Sequence, residues 1–386
     1  MSEADPRLAL GQQLTQQVLN PLKEAFVGKD EIIDLLGIAL VAGENMFLLG
    51  PPGTAKSALV QSLARRLQGE MFDYLLTRFT EPNELFGPFD IRKLRDGDLV
   101  TNTEGMLPEA SFVFLDELLN ANSAILNSLL MVLNERVFRR GRETRKLPTL
   151  MVVGASNRLP DDDALNALFD RFLLRVVCDN VAAEELTEVL VAGWKLERTN
   201  GQPQTSMTVD DVRELSTLMD EVNLEPVRNR YVQLVQRLRH AGVQLSDRRA
   251  VKIQRLMAAS ALLCGRLDVN TTDFWVLRYI WDTEEQQDVV AAIVNDVVAS
   301  ADEQEQRASH PRSRGIDAPD AEHLARDLER IALRLNAPEL PATETSFLRD
   351  QVGLLAARSQ WVEDQQQRQF LDEKIDGLWQ QLGGRP

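Results

Sequence analysis

The sequence predicts an open, parallel α/β sheet carrying a phosphate loop, followed by domains that are helical throughout. Three observations predict it. Short, fully apolar runs alternate with helical patterns up to about Val181. One of those runs, Met46–Leu49, breaks into a glycine-rich loop and then a helix. Beyond Val181 the strand signals stop, and apolar residues recur only at helical spacing.

The loop organises the rest. It reads Gly50-Pro51-Pro52-Gly53-Thr54-Ala55-Lys56-Ser57, with a helical pattern running on to Leu67. A strand, a glycine loop and a helix start, in that order, leave backbone N–H groups free for an anion, which the helix dipole also favours. Lys56 can reach the β- and γ-phosphates as a point charge, and Ser57 can offer its hydroxyl to Mg²⁺. ATP and Mg²⁺ are therefore the expected cofactors. Ala55 stands where the pattern G-x-x-x-x-G-K-[ST] has glycine. The expectation is right-handed backbone at Ala55, with Gly53 carrying the unusual dihedrals. The competing reading, a Gly-Pro turn that happens to precede Lys-Ser, leaves the later motifs unexplained.

At 386 residues the chain is too long for one core and implies two or three domains. A composition of 44% hydrophobic and 26% charged residues is that of an ordinary soluble protein. The net charge of −16 argues against a general nucleic-acid binder. Cys178 and Cys264 lack metal-ligand spacing and read as buried thiols of a reducing compartment. The start MSEADPRL is no signal peptide, and no apolar run is long enough to cross a membrane, so the expected location is the cytoplasm.

Taken in order, Leu8–Ala25 is an amphipathic helix, and Asp30–Ala42 a second that leads into the first strand. Val27 and Gly28 lie between them. They are candidates to wrap an adenine, although a helix C-cap at Gly28 is equally compatible. Met71–Thr77 is a strand. Arg78–Pro108 is a long connection rich in Pro, Gly and charge, of the kind that is functional or disordered. Asp90–Leu99 within it reads as a small hairpin or helix. Ser111–Leu115 is a buried strand that ends in Asp116-Glu117. There Asp116 can hold Mg²⁺ and Glu117 can activate water, unless both merely cap the next helix. Asn120–Asn134 is helical. Arg136–Lys146 is a basic hairpin, either a solvated face or a pore-facing, substrate-touching element. Thr149–Ala155 is a strand that brings Asn157 level with Asp116, where its amide can reach the γ-phosphate or the water. Asp163–Phe169 is helical, and a last strand follows Asp170-Arg171-Phe172. Arg171, if far from its own loop, can serve a neighbour's site; the bland alternative is a salt bridge to Asp170 or Asp161.

The helical part begins at Ala183–Arg198 and continues through Val209–Val222, Glu225–Ala241, Asp247–Leu263 and Thr272–Trp281, with Trp275 and Trp281 as core anchors. Arg248 in the first turn after the N-cap Ser246 is disfavoured by the dipole, which a nucleotide phosphate would explain. Its alternative is a solvated arginine offset by Asp247. Ala301–Pro319 reads as a linker, and two apolar stripes beyond it read as a helical hairpin too small to bury much alone.

The set GPPGTAKS, FLDE, GASN and DRF resembles the AAA+ ATPases, and the sub-motifs TRFTEPNELFGP, GMLPEASFVFLDE, ILNSLLMVLNER and SDRRA resemble the MoxR family and its RavA-like branch. The resemblance covers about residues 8–285. It implies Walker A residues Lys56 and Ser57, Walker B residues Asp116 and Glu117, sensor 1 at Asn157, an arginine finger at Arg171 and sensor 2 at Arg248, with Arg249 a near rival. It makes Phe86–Pro108 the helix-2 insert and Arg136–Lys146 the pre-sensor-1 hairpin. It also implies an Mg²⁺-dependent ATPase in a homo-oligomeric, hexameric ring, remodelling protein complexes with a von Willebrand A domain partner. The expected domains are an α/β nucleotide domain (1–181), a helical lid (182–300), a linker (301–319) and a C-terminal helical hairpin (320–386). The expected nucleotide-binding residues are Val27, Gly28, Gly50, Pro51, Pro52, Gly53, Thr54, Ala55, Lys56 and Ser57, with Ser57 and Asp116 on the metal. A DNA-associated motor or loader, and a nucleotide-gated scaffold that hardly hydrolyses, are the alternatives.

Overall fold

The computed structural model describes residues 5–90, 92, 100–140, 143–160, 163–198, 207–314, 321–335, 348–349, 352–353, 355–356, 359 and 365–382. Most of the expected tip of the Asp90–Leu99 element, the turn at 141–142, Asp161, and linker residues 315–319 fall outside them. The chain divides into two compact units, Met1–Ser313 and Arg314–Pro386.

The first unit is built on a five-stranded sheet, β1 (Met46–Leu49), β2 (Met71–Leu75), β3 (Phe112–Asp116), β6 (Met151–Ser156) and β7 (Leu174–Val177), in the order β2-β3-β6-β1-β7. Every pairing is parallel. The apolar runs are short because both faces of the sheet are covered; Phe47, Phe112 and Phe114 are wholly buried. Each such side chain contributes roughly 1.5–3 kcal/mol of burial free energy. β4 (Val137–Arg140) and β5 (Glu143–Lys146) form the separate antiparallel hairpin expected at Arg136–Lys146.

The helical region follows the reading closely, with Leu186–Arg198, Val209–Thr217, Arg228–His240 and Asp247–Leu263 as α-helices. Thr271–Tyr279 is a 3₁₀ segment, and Trp275 and Trp281 are buried as expected. A further helix, Gln286–Ala299, lies beyond the point where the sequence reading stopped and buries Val290, Val294 and Val298. The lid is locked to β7 by a buried charge cluster. Arg175 donates to Asp282, to the Trp281 carbonyl, and at 3.1 Å to the Phe169 carbonyl. Arg249 donates to the same Asp282 at 2.7 Å, to the Gln244 carbonyl and to the Ile280 carbonyl. Burial, with Arg249 alongside, pulls the Arg175 guanidinium down to about 9. Burial alone would raise the Asp282 carboxyl, but Arg249 and Arg175 outweigh it and hold it below the usual carboxylate range.

Two expectations are corrected here. Residues 301–314 are not a linker. Glu303–Arg307 is helical, His310 stacks 4.6 Å from Trp275, and Arg312 pairs with the buried Asp34 at 2.6 Å. The polar composition hid this because the anchors are ion pairs and one ring stack rather than an apolar period. Cys264 is only half-buried, whereas Cys178 is buried.

The second unit is not a helical hairpin. Ala321–Leu335 and Gln365–Gln381 are helices, and residues 348–349, 352–353, 355–356 and 359 are helical between them. Buried Ser359 donates to Asp372 at 3.1 Å. The stretch around Ser359 therefore packs against the helix Gln365–Gln381. Leu324, Leu328, Ile331, Leu348, Val352, Leu355, Leu371, Ile375, Leu378, Trp379 and Leu382 share one core. Among the described residues, helical stretches at 321–335, 348–359 and 365–381 contribute to that core.

Asp282→Asn removes the anion shared by two buried guanidinium groups and is expected to cost about 3–5 kcal/mol at neutral pH by urea unfolding. The folded carboxyl titrates below its unfolded value, so its stabilisation is present above that value and lost as pH falls through the folded one. The gap between wild type and variant therefore closes at acid pH.

Candidate nucleotide site

The loop after β1 is held from beneath by the strand on its far side. Cys178 N donates to Leu49 O at 2.7 Å, and a Cβ at Gly50 would meet Cys178 O at 2.2 Å, so only glycine fits there. Thr54 Oγ1 donates to Pro51 O at 3.0 Å and closes the loop on itself. Pro51, Pro52 and Gly53 stay exposed at its mouth. Gly53 is left-handed at φ +85°, as expected, but Ala55 is left-handed too, at φ 64° and ψ 23°. The expectation of right-handed backbone at Ala55 is wrong. The loop turns through αL immediately before the helix Lys56–Arg66, and alanine bears a strain of about 1–2 kcal/mol there. No side chain caps that helix, so its first N–H groups remain available. Lys56 Nζ donates to Gly50 O at 2.8 Å and Pro51 O at 2.7 Å, across the loop.

The carboxylates stand at the same, C-terminal end of the sheet. Asp116 closes β3, and its Oδ1 accepts the Glu117 N–H at 3.0 Å. Glu117 is itself left-handed, at φ 49°, and Asn120 Nδ2 donates to it at 3.4 Å. A non-glycine residue in αL at the end of β3 is backbone strain of about 1–3 kcal/mol. Leu115 pairs with Gly154, so Asp116 lies opposite Ala155, and Asn157 projects two residues beyond that level, exposed. On the neighbouring strand Asp73 shares the Asp116 face. Burial, and then Asp116 itself, raise its carboxyl above the ordinary value. Val27 and Gly28 sit at the rim. Gly28 is left-handed at φ +72°, consistent with its capping reading, and a Cβ on it would meet Val181 and Glu185. Lys29 Nζ donates to Asp179 O, fixing this turn to the segment that supports the loop.

The arginines are elsewhere. Asn45, just before β1, donates to Arg171 O at 3.1 Å and to Leu133 O at 3.3 Å. Arg171 thus lies at the N-terminal end of the strands, and the four residues of β1 put about 13 Å between that edge and the loop. Its guanidinium donates to Asp170 at 2.8 Å, the salt bridge offered as the bland alternative. Arg248 is on the same edge, where it donates to Asn134 and, with Arg171, Asp170, Leu173, Arg249 and Lys252, lines one small cleft. Burial and Arg248 lower the Arg171 guanidinium from its ordinary value. Asp247 does not offset Arg248, because it pairs with Arg239 at 2.7 Å. Arg249 is a buried structural residue, whereas Arg248 is exposed and bonded to Asn134. The lid helix Asp247–Leu263 is docked to this edge by Lys252–Glu44 and Arg255–Ala42 contacts. Arg248 therefore does not reach the phosphate loop of its own chain.

The basic hairpin is largely spoken for. Arg136, left-handed at φ 51°, donates to Asn45 Oδ1 at 2.7 Å, and burial lowers it to about 10. Arg140 donates to Gly87 O at 2.6 Å and to Asn83, and lies 3.9 Å over the Phe89 ring. Arg145 donates to Thr103 at 2.8 Å. Gly87, Phe89 and Thr103 belong to the Phe86–Pro108 insert, where Asp90 N donates to Val100 O and Asn102 N to Pro88 O, each at 2.8 Å. Of the element expected as a small hairpin or helix between them, Arg92 is described and is helical, and 93–99 lie outside the described residues. Asn45 and Asn122, which holds the Arg78–Thr80 turn at the strand end, went unread as site residues. A lone asparagine carries no local signal of long-range bonding.

Residues 12–217 match the profile described as "MoxR domain in the MoxR-vWA-beta-propeller ternary systems", and residues 225–294 match an AAA lid domain. The chain belongs to the MoxR family of AAA+ ATPases. It is similar to two uncharacterised proteins of Methanocaldococcus jannaschii, each 35% identical. One match covers 75% of this chain and 76% of that protein, the other 70% and 72%. It is 24% identical to the chaperone MoxR1 of Mycobacterium tuberculosis over 53% of each chain. A solved structure of a candidate ATPase from Cytophaga hutchinsonii superposes with a TM-score of 0.60 at 20% identity, over 77% of this chain and 97% of that one, and bears on the fold alone. Within the MoxR family the RavA-like character of the motifs stays a resemblance.

The residues present fit a nucleotide and Mg²⁺. The uncapped helix start and Lys56 suit phosphates, and Ser57 and Asp116 supply hard oxygen donors for the metal. When bound, Mg²⁺ supplies charge neutralisation on the phosphates.

Ala55→Gly is expected to relieve the αL strain, offset by about 0.4–1 kcal/mol of unfolded-chain entropy. The melting temperature then holds or rises slightly, while Ala55→Val lowers it. Lys56→Ala is expected to weaken binding of a fluorescent ATP analogue at least tenfold by titration, with the fold intact.

Proposed function

We propose that this chain is an Mg²⁺-dependent ATP hydrolase that works as a head-to-tail homo-oligomeric ring, six-membered by family resemblance, and remodels protein complexes in the cytoplasm. The observation that supports it is the division of one reaction between two ends of one sheet. Lys56, Ser57, Asp116, Glu117 and Asn157 stand at the C-terminal end, whereas Arg171 and Arg248 stand at the other. A second copy brings the missing cations to the phosphates.

In that reading the Gly53–Ala55 backbone, Lys56 and Ser57 hold the phosphates. Asp116 organises the metal shell and Glu117 polarises the attacking water. Asn157 orients the γ-phosphate or the water, and Val27 and Gly28 border the adenine. Arg171 and Arg248 of the next copy neutralise charge in the transition state, worth about 10³–10⁵ in rate for such a finger. The matching profile is named for systems that pair MoxR with a von Willebrand A domain and a β-propeller, which supports a partner of that kind. A relative named as a chaperone supports a protein client. The nucleic-acid alternative draws little support, since Arg136, Arg140 and Arg145 bond within the chain. Among the described residues no helix is long and apolar enough to cross a membrane.

Light-scattering mass and ATPase rate are measured together for wild type and Glu117→Gln. The expected outcome is ATP-dependent assembly of both, with hydrolysis by wild type only. Assembly of wild type without turnover would favour the gated scaffold. In mixing, Lys56→Ala chains are expected to restore activity to Arg171→Ala and to Arg248→Ala chains alike. If Arg248 serves its own nucleotide, the second mixture stays inactive.

A further inference from the structure

The helix Leu186–Arg198, LTEVLVAGWKLER, is mostly apolar, yet none of its described residues is fully buried. Leu186, Leu190, Val191 and Trp194 are 51%, 65%, 67% and 63% exposed, and helical geometry puts all four on one broad side. A stripe of that size, carrying a tryptophan, is a surface that another surface covers.

Its place in the fold says which one. The segment that enters the helix first supports the phosphate loop through Cys178, then crosses Gly28 with Val181 and Glu185. The stripe therefore starts at the nucleotide side of the molecule, the side that a second copy must approach to deliver Arg171 and Arg248. The delivering face has an apolar residue of its own. Val251, 64% exposed, is one turn from Arg248 on the lid helix, beside the cleft that Arg171 and Leu173 line.

We propose that the Leu186–Trp194 stripe is the docking surface for the Arg248–Val251 face of a second copy of this chain. The contact is heterologous, stripe to lid helix, so each copy uses both surfaces, which gives the ring of the proposed function when the rotation between copies closes. Apolar contact beside the nucleotide brings the neighbour's arginines into register and keeps water from the shared site. This inference rests on the ring reading and adds the surface through which copies recognise one another.

The test uses full-length chains with ATP, followed by light scattering and ATPase rate. Trp194→Glu and Val251→Glu each spoil one face. Each alone is expected to retain the wild-type melting curve, to remain at the 43.4 kDa of one chain, and to lose at least tenfold in ATPase rate. Mixed one to one, they still have one good stripe and one good lid face between them. The expected product is a dimer, with ATPase activity regained at one site per pair. Should Trp194→Glu fail to fold, Leu190→Gln with Val191→Gln replaces it. A folded stripe variant that assembles and hydrolyses as wild type does would overturn the docking surface and leave the ring reading standing. A mixture that stays monomeric would overturn the pairing of the two faces. Wild type that stays monomeric with ATP would overturn the ring reading, and the docking surface with it.

Discussion

All strands of the five-stranded sheet run in one direction, so its two ends differ chemically. At the C-terminal ends the chain leaves the sheet through the phosphate loop, Asp116-Glu117 and Asn157. At the N-terminal ends it enters past Asn45, the end of helix Ser123–Glu135, and Asp170-Arg171. Strand polarity is fixed by the parallel hydrogen bonding itself. No side-chain motion can carry Arg171 through a core of Phe47, Phe169 and Phe172 to the loop on the other side. The separation of cations from phosphates follows from the topology and not from a particular rotamer.

The lid obeys the same constraint. Its docking depends on Asp282 between Arg175 and Arg249, with Lys252 and Arg255 on the Glu44 edge. Two guanidinium groups at 1% and 2% side-chain exposure are tolerable because one carboxylate and several carbonyls take their terminal N–H groups, although each Nε stays buried without a partner. That requirement makes Arg249 structural, and so leaves Arg248, one residue earlier on the helix, to face outward beside Arg171. Adjacent arginines thus have opposite surroundings, decided by which side of a helix meets the core.

The phosphate end stores strain instead. Ala55 and Glu117 are both left-handed without being glycine, and each is over-determined by its surroundings. The loop at Ala55 is clamped between the helix start and Cys178, and Glu117 is held by Asp116 and Asn120. The surrounding sheet offsets a few kcal/mol of such strain easily, because its strands are buried on both faces. The basic hairpin points the same way. Two of its four described arginines, Arg140 and Arg145, hold the insert, and Arg136 is bonded to Asn45, so part of a cluster of positive charge in the sequence is spent inside the fold.

Sequence by itself determined the strand positions, the phosphate loop, the carboxylates at the end of β3 and the helical character of everything after Val181. Each is written in a local pattern: an apolar run too short for a helix, a glycine where backbone meets phosphate, a period of 3.6. The tertiary structure decided what depends on contacts far apart in the chain. It decided that Ala55 is left-handed, because Cys178 lies beneath the loop. It decided that residues 301–314 are folded, because Asp34 and Trp275 receive Arg312 and His310. It decided that the described residues around Ser359 pack against the last helix, because Ser359 meets Asp372. And it decided that Arg248 joins Arg171, because the lid packs on the opposite sheet edge from the phosphate loop. Local patterns record what a residue does to its own backbone; which residue it meets is set only when loops close and buried charges find their partners.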